Sequence, residues 1–190
     1  MISRAYMVDI TDLGNPMIVG TAALVTIVWL WASSQRDMAQ VFAAAAISTV
    51  IATTTLKMVS IALGGELRDT MFYMSTGAPS GHAALSTSIY GGIAMLFAVG
   101  SRGVLRIGAL VLLLAAIIGV SLTRVTLGSH TPADVVAGIL VGGSFAMLIG
   151  FVAVRRQHPW PSLTPLLASV LAIGLLVYLS GLRLQSPGLL

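Results

Sequence analysis

The stretch Val104 to Thr123 reads VLRIGALVLLLAAIIGVSLT, twenty residues with Arg106 as their only charged side chain. An α-helix rises about 1.5 Å per residue, so this segment alone can cross the roughly 30 Å hydrocarbon core of a bilayer. Five further stretches are long and apolar enough to do the same: Pro16 to Ser33, Met38 to Leu63, Gly81 to Gly100, Pro132 to Val154 and Leu163 to Leu182. Backbone N–H and C=O groups cannot be left unpaired in lipid, which restricts spanning structures to helices and closed barrels. None of the six runs alternates with the period of a barrel strand. The sequence therefore predicts an all-α integral membrane protein of six transmembrane helices. The spans consume most of residues 1–190, leaving room for a single membrane-embedded domain.

Composition points to the same solvent. Hydrophobic residues make up 57% of the chain and charged residues 8%, with a mean hydropathy of +0.98. A soluble domain carries roughly a quarter charged residues, so 10 basic and 6 acidic side chains could not clothe this surface in water. The net charge of +4 is scattered through short loops, which fits membrane topology and gives no reason to expect a nucleic-acid partner. The absence of cysteine excludes disulfides and thiolate chemistry. Asp9 and Asp12 precede the first span and Arg4 is the only basic residue there, so this span reads as retained rather than as a cleaved signal.

The loops after spans one, three and five carry Arg36, then Arg102 and Arg106, then Arg155 and Arg156. Arg4 and Arg183 lie at the other face, where Lys57, Arg68 and Arg124 are set aside as candidate ligands. The positive-inside rule then places the odd loops in the cytoplasm, with both termini and the loops after spans two and four facing outward.

The unusual polar residues gather on that outward face. Gly77-Ala78-Pro79-Ser80-Gly81-His82 leads into span three, and Thr123 to Asp134, TRVTLGSHTPAD, leads into span five. Lys57 lies near the outward end of span two. Ionisable groups beside spans are expensive and are functional candidates by default. Part of each junction is ordinary capping: Ser80 suits an N-cap, and Thr131-Pro132-Ala133-Asp134 fits a capping box. Capping has no use for His82, His130, Arg124 or Lys57. A helix N-terminus attracts an anion, Gly81 lets an oxyanion approach the backbone, and Lys57 and Arg124 can neutralise it. His130 and Asp134 stand four apart, so the carboxylate can fix the tautomer of the imidazole and leave its other nitrogen free to attack. His82 remains as an acid for the leaving group. These are the ingredients of phosphoryl transfer through a covalent histidine.

These residues resemble the type 2 phosphatidic acid phosphatase (PAP2) family, whose signature has three parts: K-x6-RP, PSGH and SR-x5-H-x3-D. Pro79-Ser80-Gly81-His82 supplies the second part in full. Arg124, His130 and Asp134 supply the third at the family spacing, with Thr123 in place of Ser. Asp12-Leu13-Gly14-Asn15 is similar to family N-termini. The first part departs: Lys57 is followed by Leu63 and Gly64 where Arg-Pro is expected, and the nearest downstream arginine is Arg68. The resemblance covers roughly Lys57 to Gly143. It implies a PAP2-like helical bundle and hydrolysis of a lipid phosphate or diphosphate: undecaprenyl diphosphate, phosphatidylglycerol phosphate, phosphatidic acid or a lipid A phosphate. By position, His130 would be the nucleophile, Asp134 its orienting carboxylate and His82 the acid. Ser80, Gly81, Lys57, Arg124 and Arg68 would hold the phosphate. No metal or other cofactor is implied, and the setting would be a bacterial inner membrane with the site facing the periplasm or exterior.

Other readings share parts of this pattern. A lipid-to-lipid phosphotransferase would use every one of these residues. An intramembrane serine protease could use Ser80 with His130, but has no need of Lys57, Arg124 or Asp134. Gly138 and Gly142, with Gly143 beside them, read as close helix packing in span five. His158 and the Met71-to-Met74 stretch read as interfacial anchors. The orientation predicts that a cysteine introduced as Arg155→Cys, unique in this chain, resists an impermeant reagent applied from outside; rapid labelling of intact cells would reverse the topology.

Overall fold

A computed structural model describes residues 4–62, 78–156 and 159–180. Seven helices make up these residues: α1 Arg4–Asp12, α2 Pro16–Ala32, α3 Arg36–Ala62, α4 Gly81–Gly100, α5 Gly103–Thr126, α6 Pro132–Arg155 and α7 Thr164–Leu179. The protein is an all-α membrane protein. Five segments have the length and apolarity to span a bilayer, namely Tyr6–Ala32, Arg36–Ser60, Gly81–Gly100, Gly103–Thr126 and Pro132–Arg155, and α7 is a sixth, shorter apolar helix. The Met71-to-Met74 stretch, His158 and Arg68 lie outside the described residues.

Helix α1 is the one element without an apolar run to announce it. Its nine residues include Arg4, Asp9 and Asp12, and it is joined to α2 by a tight turn at Leu13-Gly14-Asn15. The Asn15 side chain accepts the Met17 N–H at 3.0 Å, and Pro16 opens α2 at the position where a missing N–H does no harm.

Helix α4 is the hub. Buried residues make up 67% of its span, against 22–44% in the other spans. Ile89, Ile93, Leu96 and Phe97 fill the core around it with Phe42 of α3 and Ile149 of α6. A polar contact is threaded through this packing: the Thr49 hydroxyl donates to Ser88 Oγ at 2.8 Å across the α3–α4 interface. The outer faces are apolar as well, with Leu24, Ile47, Ile107, Leu140 and Met147 all exposed, as a surface solvated by lipid requires. The arginine-bearing ends are anchored by rings: Arg36 lies over Trp31, Arg155 over Phe151 and Arg156 over Trp160, with guanidinium-to-centroid distances of 5.5, 4.0 and 5.5 Å.

The closest helix contact is between α4 and α6, and glycine makes it possible. A Cβ at Gly138 would stand 2.5 Å from the Ser80 carbonyl oxygen, and one at Gly142 would press closer still on the Ala84 carbonyl. These are backbone atoms of α4 and cannot swing aside. The G-x-x-x-G pattern therefore does what its spacing suggests. Gly143, by contrast, faces only the Thr87 methyl at 4.0 Å. Gly142→Ala should lower stability by about 1–3 kcal/mol through overpacking, whereas Gly143→Ala should leave it unchanged; thermal unfolding in detergent separates the two.

Candidate active site

The connection between α5 and α6 carries Arg124, His130 and Asp134, and its shape follows from two caps placed back to back. Helix α5 ends in a Schellman motif, in which Ser129 N–H bonds the Arg124 carbonyl at 3.1 Å and Gly128 N–H bonds the Val125 carbonyl at 2.9 Å. Gly128 supplies the required left-handed backbone with φ of +70°. The His130 N–H reaches the same Arg124 carbonyl at 3.2 Å. One residue later the next helix is capped. Thr131 Oγ1 accepts the Asp134 N–H at 3.2 Å, and Asp134 Oδ2 accepts the Thr131 N–H at 3.1 Å. This is the capping box expected from the sequence.

The Pro79-to-His82 turn is fastened to this loop through the backbone. Ser80 N–H donates to the Asp134 carbonyl at 2.9 Å. Ser80 is fully buried, and its hydroxyl oxygen caps α4 by accepting the Ala83 N–H at 3.4 Å. With its oxygen engaged as a cap, this hydroxyl has only its proton to offer a ligand, which does not favour the serine-protease reading. Gly81 is only half-buried, and an added Cβ there would meet nothing within 4 Å. Open space thus lies beside the first free amides of α4.

Arg124 is 5% exposed, yet its Nε and Nη1 have no hydrogen-bond partner among the described residues. A buried cation with unused donors is costly unless an anion completes it. Its charge reaches both His82 and His130. His130 is half-buried, with Nδ1 at 3.6 Å from Asp134 Oδ2. That is an electrostatic contact slightly too long for a hydrogen bond, as catalytic pairs without substrate commonly are. Burial holds the His130 pKa below the ordinary histidine value, and the Arg124 charge pushes the same way. Asp134 opposes both, while Lys57 adds a further lowering push. Lys57 itself is exposed on α3, near enough for its charge to be felt at His130.

One neighbour is missing from the sequence-level site. Gly14, in the α1–α2 turn, packs so closely on α4 and α5 that a Cβ would stand 3.3 Å from the His82 Cβ and 2.6 Å from Val120 Cγ1. The adjacent Leu13 carbonyl accepts the Tyr90 hydroxyl at 2.6 Å. Asp12-Leu13-Gly14-Asn15 carried this signal in the sequence, but nothing there says which helix the turn meets. Thr123, where the family pattern has Ser, spends its hydroxyl on the Gly119 and Val120 carbonyls of its own helix, both at 2.9 Å.

The chain matches the family model of the PAP2 superfamily over residues 60–160. That stretch includes the Ser80, His82, Arg124, His130 and Asp134 cluster and begins just after Lys57. No curated protein and no solved structure matches the chain. The electrostatics predict that the His130 imidazole titrates below 6.5. Because the Asp134 carboxylate favours the charged ring, Asp134→Asn should move the midpoint further down, and Arg124→Ala should move it up. Histidine NMR in detergent micelles reads both signs.

Proposed function

The chain belongs to the PAP2 superfamily, and from that premise we propose that it hydrolyses a lipid phosphate or diphosphate through a phosphohistidine at His130, without a metal. Membership supports phosphatase activity on phosphate esters. The observation that carries the finer reading is the buried Arg124 guanidinium, two of whose nitrogens have no partner among the described residues, within electrostatic reach of two histidines, one of them backed by a carboxylate.

The chemistry follows from which atoms are engaged. His130 Nδ1 faces Asp134, so Nε2 is the nitrogen left to attack phosphorus. An N–P bond forms as the bond from phosphorus to the leaving oxygen breaks, and His82 gives that oxygen its proton. Positive charge grows on His130 during attack, and the Asp134 carboxylate stabilises it. Arg124, the Gly81 amide, the Ser80 hydroxyl proton and Lys57 are the proposed partners of the phosphate oxygens. Water then attacks the phosphohistidine, releasing phosphate and restoring the imidazole, with His82 accepting the water proton. The lowered His130 pKa suits this cycle, since burial and the Arg124 charge favour the neutral, nucleophilic ring.

A lipid is favoured as substrate because the cluster sits at the ends of membrane-crossing helices, where a headgroup meets charge while its chain stays in hydrocarbon. The distribution of loop arginines favours a site on the outer face of a bacterial inner membrane. Purified protein should release phosphate from lipid phosphates or diphosphates in the presence of a chelator, and His130→Ala should lower kcat by ~10³-fold or more. Retained turnover in that variant would remove the nucleophile assignment, and strict metal dependence would remove the mechanism.

A further inference from the structure

A second cavity lies away from the cations. It occupies 420 Å³ between α1, α2, α5 and α7. Its walls are almost wholly apolar, formed by Ile18 and Ala22 of α2, Leu113 and Ala116 of α5, and Val170 and Gly174 of α7. On α7 the lining runs from Val170 to Tyr178, about 12 Å of helix rise. The space is elongated along the bundle. Gly174 contributes to it by omission, since a Cβ there would meet nothing within 4 Å. The space is partly open to the surroundings of the bundle, and an apolar wall left without contacts forfeits dispersion energy. For a protein in a bilayer, the medium that reaches such a space is hydrocarbon.

The polar part of the lining selects the head. Asp9 of α1 is the one formally charged residue among the described residues that line the cavity, and Tyr6 stands one helical turn before it. A carboxylate repels a phosphate and accepts a hydrogen bond from a hydroxyl. The Arg124 cluster makes the opposite choice.

We propose that this cavity binds a lipid alcohol, with one hydrocarbon chain between α2, α5 and α7 and its hydroxyl at Asp9. The product of removing phosphate from a phospholipid or polyprenyl phosphate is an alcohol of this class; that identification rests on the phosphatase reading, whereas the binding does not. The cavity also shares a wall with the catalytic cluster. Leu13 and Tyr90 both line it, they are joined by the 2.6 Å hydrogen bond, and the next residue, Gly14, packs on His82.

The test uses the purified full chain in lipid nanodiscs with a long-chain primary alcohol carrying a diazirine. Saturable photolabelling is expected on peptides of α5 and α7. Gly174→Trp, which adds bulk where there is room, should reduce labelling about tenfold or more, and Ala116→Phe provides the same test from another helix. The unlabelled alcohol should compete, and its phosphonate analogue should compete at least about tenfold less well. His130→Ala should label as the unaltered protein does. Labelling that survives both cavity-filling variants, or equal competition by the phosphonate, would overturn the proposal. A His130→Ala variant that still turns over lipid phosphate while labelling persists would sink the phosphatase mechanism and leave this site standing.

Discussion

The hydrogen bond from Ser80 N–H to the Asp134 carbonyl, 2.9 Å long, joins two segments more than fifty residues apart. A buried backbone donor without a partner is expensive, and more so beside lipid, where water cannot substitute. This bond satisfies one and, in doing so, sets the start of α4 against the start of α6. It could not form if the helices stood at an ordinary separation. Gly138 and Gly142 remove the side chains that would hold them apart, so the α4 backbone rests directly on α6. The helix contact and the register of the polar cluster are therefore the same structural fact, and His82 and Asp134 are held by main chain rather than by the flexible ends of side chains.

The electrostatics build on that frame. Arg124 is enclosed by packing, so its charge is poorly screened where His82 and His130 feel it. One consequence is a push on His130 toward its neutral form, the form the proposed nucleophile needs; another is a set of donors fixed in place by packing, as the proposed phosphate site requires. Asp134 is occupied as a cap through Thr131 as well as standing behind His130. The carboxylate is thus oriented by helix geometry before any imidazole is considered.

Much of this was legible in the sequence because it rests on local rules. Hydropathy located the spans, and the Thr131-Pro132-Ala133-Asp134 pattern announced its capping box. The spacing of Arg124, His130 and Asp134 suggested one cluster, and the glycine pattern suggested close packing. What escaped was tertiary. Helix α1 is short and charged, so no apolar period marks it, and the seating of Gly14 on His82 depends on how the α1–α2 turn folds over the bundle. The Ser80–Asp134 bond is invisible for the same reason, since both atoms are backbone and carry no residue identity. The glycines of α6 were legible as packing residues, but not as the reason that two family motifs can touch. Lys57 was legible by type and position, and its exposure on α3 depends on how helices surround the site.

Between the Schellman turn that closes α5 and the capping box that opens α6 there is no slack. Gly128 and Ser129 belong to the first cap and Thr131 to the second, leaving His130 as the single residue between them. The family spacing of five residues between arginine and histidine is in this light a length standard, cut by two helix terminations rather than by contact with a substrate. Side chains along the loop can change while the caps hold, but chain length cannot: one added residue would have to dissolve a helix end, and the His130 imidazole would lose its address.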